Sequence, residues 1–281
     1  MKVRDQFKWL SLGLLTCWLV LFVLFPNLMV VAVSFMSPDS LQMFRPDFSL
    51  DNYAKLIDPL YGKVLLHSIY MAGITTLLCL LIGYPAAWFI NSCSKPVQGL
   101  LLFLIVVPFW TNSLIRTYAM KVILGNRGII NRSLMELGII DSPIRMMYTE
   151  TAVIVALVYI LIPFMILPLY SAIEKLPKSY LEAAKDLGAT PLYAFRSIVW
   201  PLTLPGIISG CVLVFLPALG MFYIADLLGG AGNLLIGNII RDQILIARNW
   251  PFGAALSVSL IALMALLLFA YFRAMKSIRG A

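Results

Sequence analysis

The chain has 281 residues, 61% of them hydrophobic and 12% charged, with a formal net charge of +8. A soluble domain is about half apolar and a quarter charged, so this composition excludes one and points to a protein that lives in a bilayer. In such a protein the surplus of Lys and Arg marks cytoplasmic loops rather than a nucleic-acid surface. The lone histidine, His67, and the scattered Cys17, Cys79, Cys93 and Cys211 predict neither a metal site nor a disulfide framework.

A membrane core takes about 20 apolar residues of helix. Runs of that kind lie at 9–35, 66–90, 98–120, 151–172, 204–227 and 252–272. They predict an all-α membrane protein of six transmembrane helices, with 1–281 forming a single transmembrane domain. Ala32-Val33-Ser34 resembles a cleavage site, but the first apolar run is too long for a signal peptide, so it is read as an uncleaved span. His67, at the head of the second run, is expected as a hydrogen-bonded interfacial residue.

On the third run Phe109, Asn112 and Arg116 fall on one helical face and Trp110, Ser113 and Thr117 on the next. On the fifth, Phe215, Leu219, Phe222 and Asp226 recur at helical spacing, with Tyr223 adjacent. Pro26, Pro85, Pro108, Pro163, Pro168 and Pro217 lie in or near the spans, as tolerated bends or as hinges of a moving transporter.

With the N-terminus inside, the cytoplasmic pieces are the tail, 91–97, 173–203 and 273–281. They carry eleven of the 21 bases: Lys2, Arg4, Lys8, Lys95, Lys175, Lys178, Lys185, Arg196, Arg273, Lys276 and Arg279. Together these pieces are shorter than the outer ones, and the outer loops hold most of the acids, which favours cytoplasmic N- and C-termini. The outer loops 36–65, 121–150 and 228–251 are long and are expected to contain short interfacial helices. In the last of them Leu234, Leu235, Ile239 and Ile240 would form one face, with Arg241 and Asp242 off it.

The segment 173–203 is different. Pro177 suits a first helical turn, Leu181, Ala184 and Leu187 form an apolar stripe, and Lys178, Glu182, Lys185 and Asp186 lie off it. Gly188 suits a left-handed C-terminal cap, and Thr190-Pro191 an N-cap and first turn. A second helix continues through Leu192, Phe195 and Val199 towards Pro201. From the residues alone this helix-turn-helix is either an interfacial connector or a docking element.

Glu182-Ala183-Ala184, then Gly188, then Ile198 and Pro201 resemble the EAA loop of ABC-importer permeases, with Trp200 standing where that family usually has Leu. Together with "GYPAAW" (Gly83 to Trp88), "VPFWTNSLIRTYA" (Val107 to Ala119) and "PLTLPGI" (Pro201 to Ile207), they resemble the B-type permease subunits of bacterial spermidine/putrescine importers. The resemblance implies a type I importer permease fold in the bacterial inner membrane. The loop would be a cytoplasmic coupling helix in which Glu182, Ala183, Ala184, Gly188, Ile198 and Pro201 engage an ATPase. It also implies an ATPase dimer, a second homologous permease and a periplasmic polyamine-binding protein as partners, beside membrane lipid and without nucleic acid. The chain has no GxxxxGK[ST] to cradle phosphates, so no cofactor is expected in it, and ATP and Mg belong to the partner ATPase.

Ionisable groups in or near spans are the place to look for a substrate pathway. Asp226 with Phe222 and Tyr223 offers a carboxylate and ring faces to an alkyl-ammonium, and Trp110 and Asn112 are further candidates. Alternatively Asp226 pairs with Arg116 and joins two helices. No HExxH, GxSxG or facing carboxylate pair supports an intramembrane enzyme. Importer permeases for other small solutes and ion-coupled secondary transporters remain the competing readings.

Overall fold

A computed structural model of the chain describes residues 2–39, 43–230 and 232–279. The side chains of Lys2, Arg4, Lys8, Lys178, Lys276 and Arg279, counted above among the cytoplasmic bases, lie outside the described set. In chain order the α-helices are α1 (Lys2–Leu19), α2 (Phe25–Ser34), α3 (Asp51–Lys55), α4 (Pro59–Ser92), α5 (Lys95–Val106), α6 (Ser113–Leu124) and α7 (Ile129–Glu136). They continue as α8 (Glu150–Glu174), α9 (Lys178–Asp186), α10 (Pro191–Ala194), α11 (Trp200–Gly220), α12 (Phe222–Ile224), α13 (Ile236–Leu245) and α14 (Trp250–Arg279). Among the described residues five helices are long and apolar enough to cross a membrane, and a sixth crossing arises if the bent pair Lys95–Trp110 and Ser113–Glu136 is one span.

That bent pair corrects the expectation of a continuous helix over 98–120. Pro108 brings a 3₁₀ turn at Val107–Trp110, and Thr111 and Asn112 are extended, with φ −87°, ψ 146° and φ −60°, ψ 134°. The Thr111 hydroxyl donates to the Pro108 carbonyl at 2.7 Å, and the Asn112 side chain accepts from the Leu114 amide at 2.8 Å. Asn112 is therefore an N-cap that starts a new helix, which turns by 96° from the preceding one. The two helical faces drawn through 109–117 do not exist as such.

The fifth span is corrected in the same way. α11 ends at Gly220, Met221 leaves helical geometry at φ −78°, ψ 58°, and α12 runs into a π-turn at Ala225–Gly229 closed by Gly230 at φ +67°. The register joining Phe215 and Leu219 to Phe222 and Asp226 is thus cut at Met221.

Two other π-turns, Val20–Leu24 and Phe195–Val199, each stand just before a proline. The Phe25 amide bonds the Val20 carbonyl ahead of Pro26, and the Trp200 amide bonds the Phe195 carbonyl ahead of Pro201. A proline cannot supply the next i→i−4 donor, so the wider bond carries the chain past the gap.

The helices divide between two compact units, 1–62 with 239–267, and 63–238 with 268–281. In the first, the Asn52 side chain donates to the Ser34 and Met36 carbonyls at 3.1 and 2.8 Å, satisfying acceptors at the end of α2. Trp18, Phe22 and Phe25 are exposed on a helical stretch, Ser11–Ser34, that buries none of its apolar window.

In the second unit α8 packs along α11, with Leu157, Leu161, Met165 and Leu169 fully buried. Close approach depends on glycine. A Cβ on Gly206 would lie 2.4 Å from the Ala172 Cβ and 2.9 Å from the Pro168 carbonyl oxygen, and one on Gly210 would lie 2.6 Å from the Met165 Sδ.

The loops 36–65, 121–150 and 228–251 contain short helices, α3, α7 and α13. In the last loop the helix begins at Ile236, so Leu234 and Leu235 precede it rather than sharing its face. His67 also departs from expectation: its Nε2 is buried without a hydrogen-bond partner.

Candidate functional site

The helix-turn-helix segment 173–203 is built from its caps. α9 begins after Pro177, which serves as N-cap at φ −63°, ψ 123° rather than as a residue of the first turn. At the other end Gly188 adopts φ +77°. Its amide bonds the Lys185 carbonyl at 2.9 Å, and the Ala189 amide bonds the Ala184 carbonyl at 2.9 Å. This pair of bonds is a Schellman motif, which satisfies the last carbonyls of α9. Thr190 then caps α10, its hydroxyl accepting from the Tyr193 amide at 3.3 Å, with Pro191 at the first turn. Helix, left-handed glycine, cap and proline follow as the residues predict.

The expected apolar stripe is split. Ala184 is buried, Leu181 is half-buried and Leu187 is 88% exposed. Glu182, Ala183, Gly188 and Pro201 are also exposed, and Ile198 is half-buried. Tyr180, Ala183, Ala184, Leu187, Gly188 and Tyr193 line an open concavity of ≈ 670 Å³, and on the other side of the turn Trp88, Leu181, Pro191 and Phe195 line a second of ≈ 530 Å³. Leu187, Leu192 and Tyr193 would be misplaced in water, and the small Ala183 and Gly188 leave room beside them. The surface suits docking by a protein partner.

At the opposite end of α8 the pathway candidates fall into separate places. Phe222, Tyr223 and Asp226 share the broken segment after α11, where the Phe222 and Tyr223 rings meet edge to face at 6.3 Å. Asp226 is exposed and its carboxylate accepts from the Asn238 side chain at 3.5 Å. Asn238 is wholly buried, donates to the Phe222 carbonyl at 3.1 Å and accepts from the Leu235 amide at 3.0 Å. It thereby ties the start of α13 to the Asp226 turn. The Tyr223 hydroxyl is buried without a hydrogen-bond partner.

α6 packs against the Asp226 turn. Trp110 lies apart, 75% exposed, with its ring edge-on to Phe103 at 5.9 Å, and the Asn112 side chain is committed to capping.

Arg116 is buried with its guanidinium 5.0 Å over the Phe109 ring, and Phe109 in turn meets Phe164 edge to face at 5.0 Å. The bend, not a shared helical face, brings Phe109 and Arg116 together, and the cation–π contact pins it. Sequence reasoning missed Asn238; its position beside Gly237, in a stretch of Ile and Leu, was the available signal.

Residues 79–279 match the family described as the binding-protein-dependent transport system inner membrane component. The chain belongs to that family. The chain is 54% identical, over 98% of its length and 96% of the relative's, to the spermidine/putrescine transport system permease protein PotB of Salmonella typhimurium. It is 58% identical, over 92% of its length and 94% of the relative's, to the protein of the same name from Escherichia coli.

Its fold matches a chain in the crystal structure of a bacterial alginate ABC transporter in complex with an alginate pentasaccharide-bound periplasmic protein. The TM-score is 0.78 over 95% of this chain and 93% of that one, at 16% identity. The fold is that of an ABC-importer permease, in a multi-pass inner-membrane protein.

Proposed function

We propose that the chain is the permease subunit of an ATP-driven importer that moves spermidine and putrescine from periplasm to cytoplasm. The observation that carries this reading is the identity, across nearly the whole of both chains, with permeases named for those polyamines. The permease works with a cytoplasmic ATPase dimer, a second homologous permease and a periplasmic polyamine-binding protein. ATP and Mg act on the ATPase, and this chain supplies neither nucleotide site nor covalent chemistry.

Three features support the division of labour. The concavity around Ala183, Leu187 and Gly188 receives the ATPase, with Glu182 exposed beside it to meet a partner base. The bases on the short loops at that end favour a cytoplasmic location, so both termini are inside. At the far end the exposed Asp226 carboxylate, beside the Phe222 and Tyr223 rings, suits an alkyl-ammonium, because charge and ring faces both favour it. Trp110, exposed at the bend, and Asn112 beside it are further candidates for contact with the passing polyamine. Transport is by alternating access, ATP binding and hydrolysis shifting the population of inward- and outward-open states.

The test is uptake of labelled spermidine into vesicles bearing the four-component complex. Import should require ATP and the binding protein, and be competed by putrescine. Import driven by an ion gradient without ATP, or none, would overturn the reading. Asp226→Asn should raise the KM for polyamine by roughly tenfold or more, the worth of a charged contact, with assembly intact. An unchanged KM would remove Asp226 from the pathway.

A further inference from the structure

The structure assigns Tyr84 and Thr203 a positioning role that rests on the importer reading: their buried hydroxyl bond carries movement of the coupling segment into α4. The Tyr84 hydroxyl lies 3.0 Å from the Thr203 hydroxyl, and Thr203 is fully buried. Thr203 spends its own proton on the Val199 carbonyl at 2.8 Å, with the Trp200 carbonyl at 3.3 Å. Tyr84 is therefore the donor, and the chain of bonds ends on the last residue of the π-turn that joins α10 to α11. The Tyr84 ring also meets Phe195, at the start of that turn, at 5.7 Å and Trp200, just after it, at 5.9 Å. One side chain of α4 thus touches the start of the π-turn and the first turn of α11, and reaches the turn's last residue through Thr203.

The two elements it joins are each weak at the point of contact. In α4 the next residue is Pro85, which deprives the Leu81 carbonyl of its helical donor. Across the bond, the turn at Phe195–Val199 is the wide-bonded stretch before Pro201. Beyond it α11 is held to α8 through Gly206 and Gly210, so the upper helix resists independent tilt. A tilt of α9 and α10 imposed by an ATPase is then taken up in the π-turn. Tyr84, held to the start of that turn and to the first turn of α11 beyond it, transfers it to the donor gap at Pro85. Packed elements move as units, and a bond between two compliant points sets which units move together.

The test uses the complete importer in proteoliposomes, with spermidine imported and phosphate released measured in the same vesicles. Tyr84→Phe and Thr203→Val should copurify with all partners and retain binding-protein-stimulated ATP hydrolysis. Spermidine moved per ATP should fall roughly fivefold, the equivalent of one buried hydrogen bond. The double variant should be no worse than either single one, because both remove the same bond, and Thr203→Ser should restore the ratio. An unchanged ratio, a parallel loss of uptake and hydrolysis, or loss of assembly in both variants would make the bond merely structural and overturn the proposal. If the unmodified complex moves no spermidine with ATP, the importer reading itself has failed, a result distinct from any confined to the variants.

Discussion

Gly188 and Gly206 are both glycine for reasons that a substitution can separate. At Gly188 an added Cβ meets nothing within 4 Å, but φ is +77°, where an L-residue is strained by about 1–2 kcal/mol. Gly188→Ala should lower the melting temperature of the purified chain by no more than about 2–4 °C while weakening capture of the ATPase by up to about tenfold. Gly188→Asn, which tolerates the left-handed region, should recover most of it. Equal capture by Ala and native Gly would show that the turn is not held in this conformation when docked. The glycine's need was legible in the sequence, because Gly-Ala-Thr-Pro after an amphipathic run has few other readings. The roles of Tyr84 and Asn238 were not, since each depends on a partner more than ten residues away.

At the scale of the element, glycine at 206 is kept by its neighbour helix. Gly206→Val would drive a side chain into the Ala172 Cβ and the Pro168 carbonyl, at a cost of about 1–3 kcal/mol. The melting temperature in detergent should drop by several degrees. Adding Ala172→Gly should recover only part of it, because the Pro168 backbone cannot retreat. Full recovery would mean that the backbone contact is unimportant. Helices such as α8 were readable from apolar length alone. The breaks at Thr111-Asn112 and Met221 were not, for a physical reason: a hydropathy window sums transfer free energies and is blind to which backbone donors are satisfied. Asn112 and Thr111 interrupt the helix by hydrogen bonding their own neighbourhood, at little cost in mean hydropathy.

At the scale of the molecule, α8 has 25 residues, about 37 Å of helix, enough to cross a hydrocarbon core of about 30 Å. Its ends therefore place the α9–α10 segment and the α6–α8 loop on opposite sides of the membrane. In a variant lacking Cys17, Cys79, Cys93 and Cys211, Thr190→Cys should react with an impermeant maleimide only from the cytoplasmic side and Asp141→Cys only from the periplasmic side. Reversal of the two would invert the proposed orientation. By itself the sequence determined the solvent, the α-helical class, the approximate spans and the form of the turn at Gly188. These follow from composition, periodicity and caps, which act over a few residues. The tertiary structure alone decided that α6 departs at 96° with Arg116 over Phe109, that Asn238 braces Asp226, and that Tyr84 bonds Thr203. Such contacts join residues far apart in the chain, and their energies exist only once the intervening helices have packed.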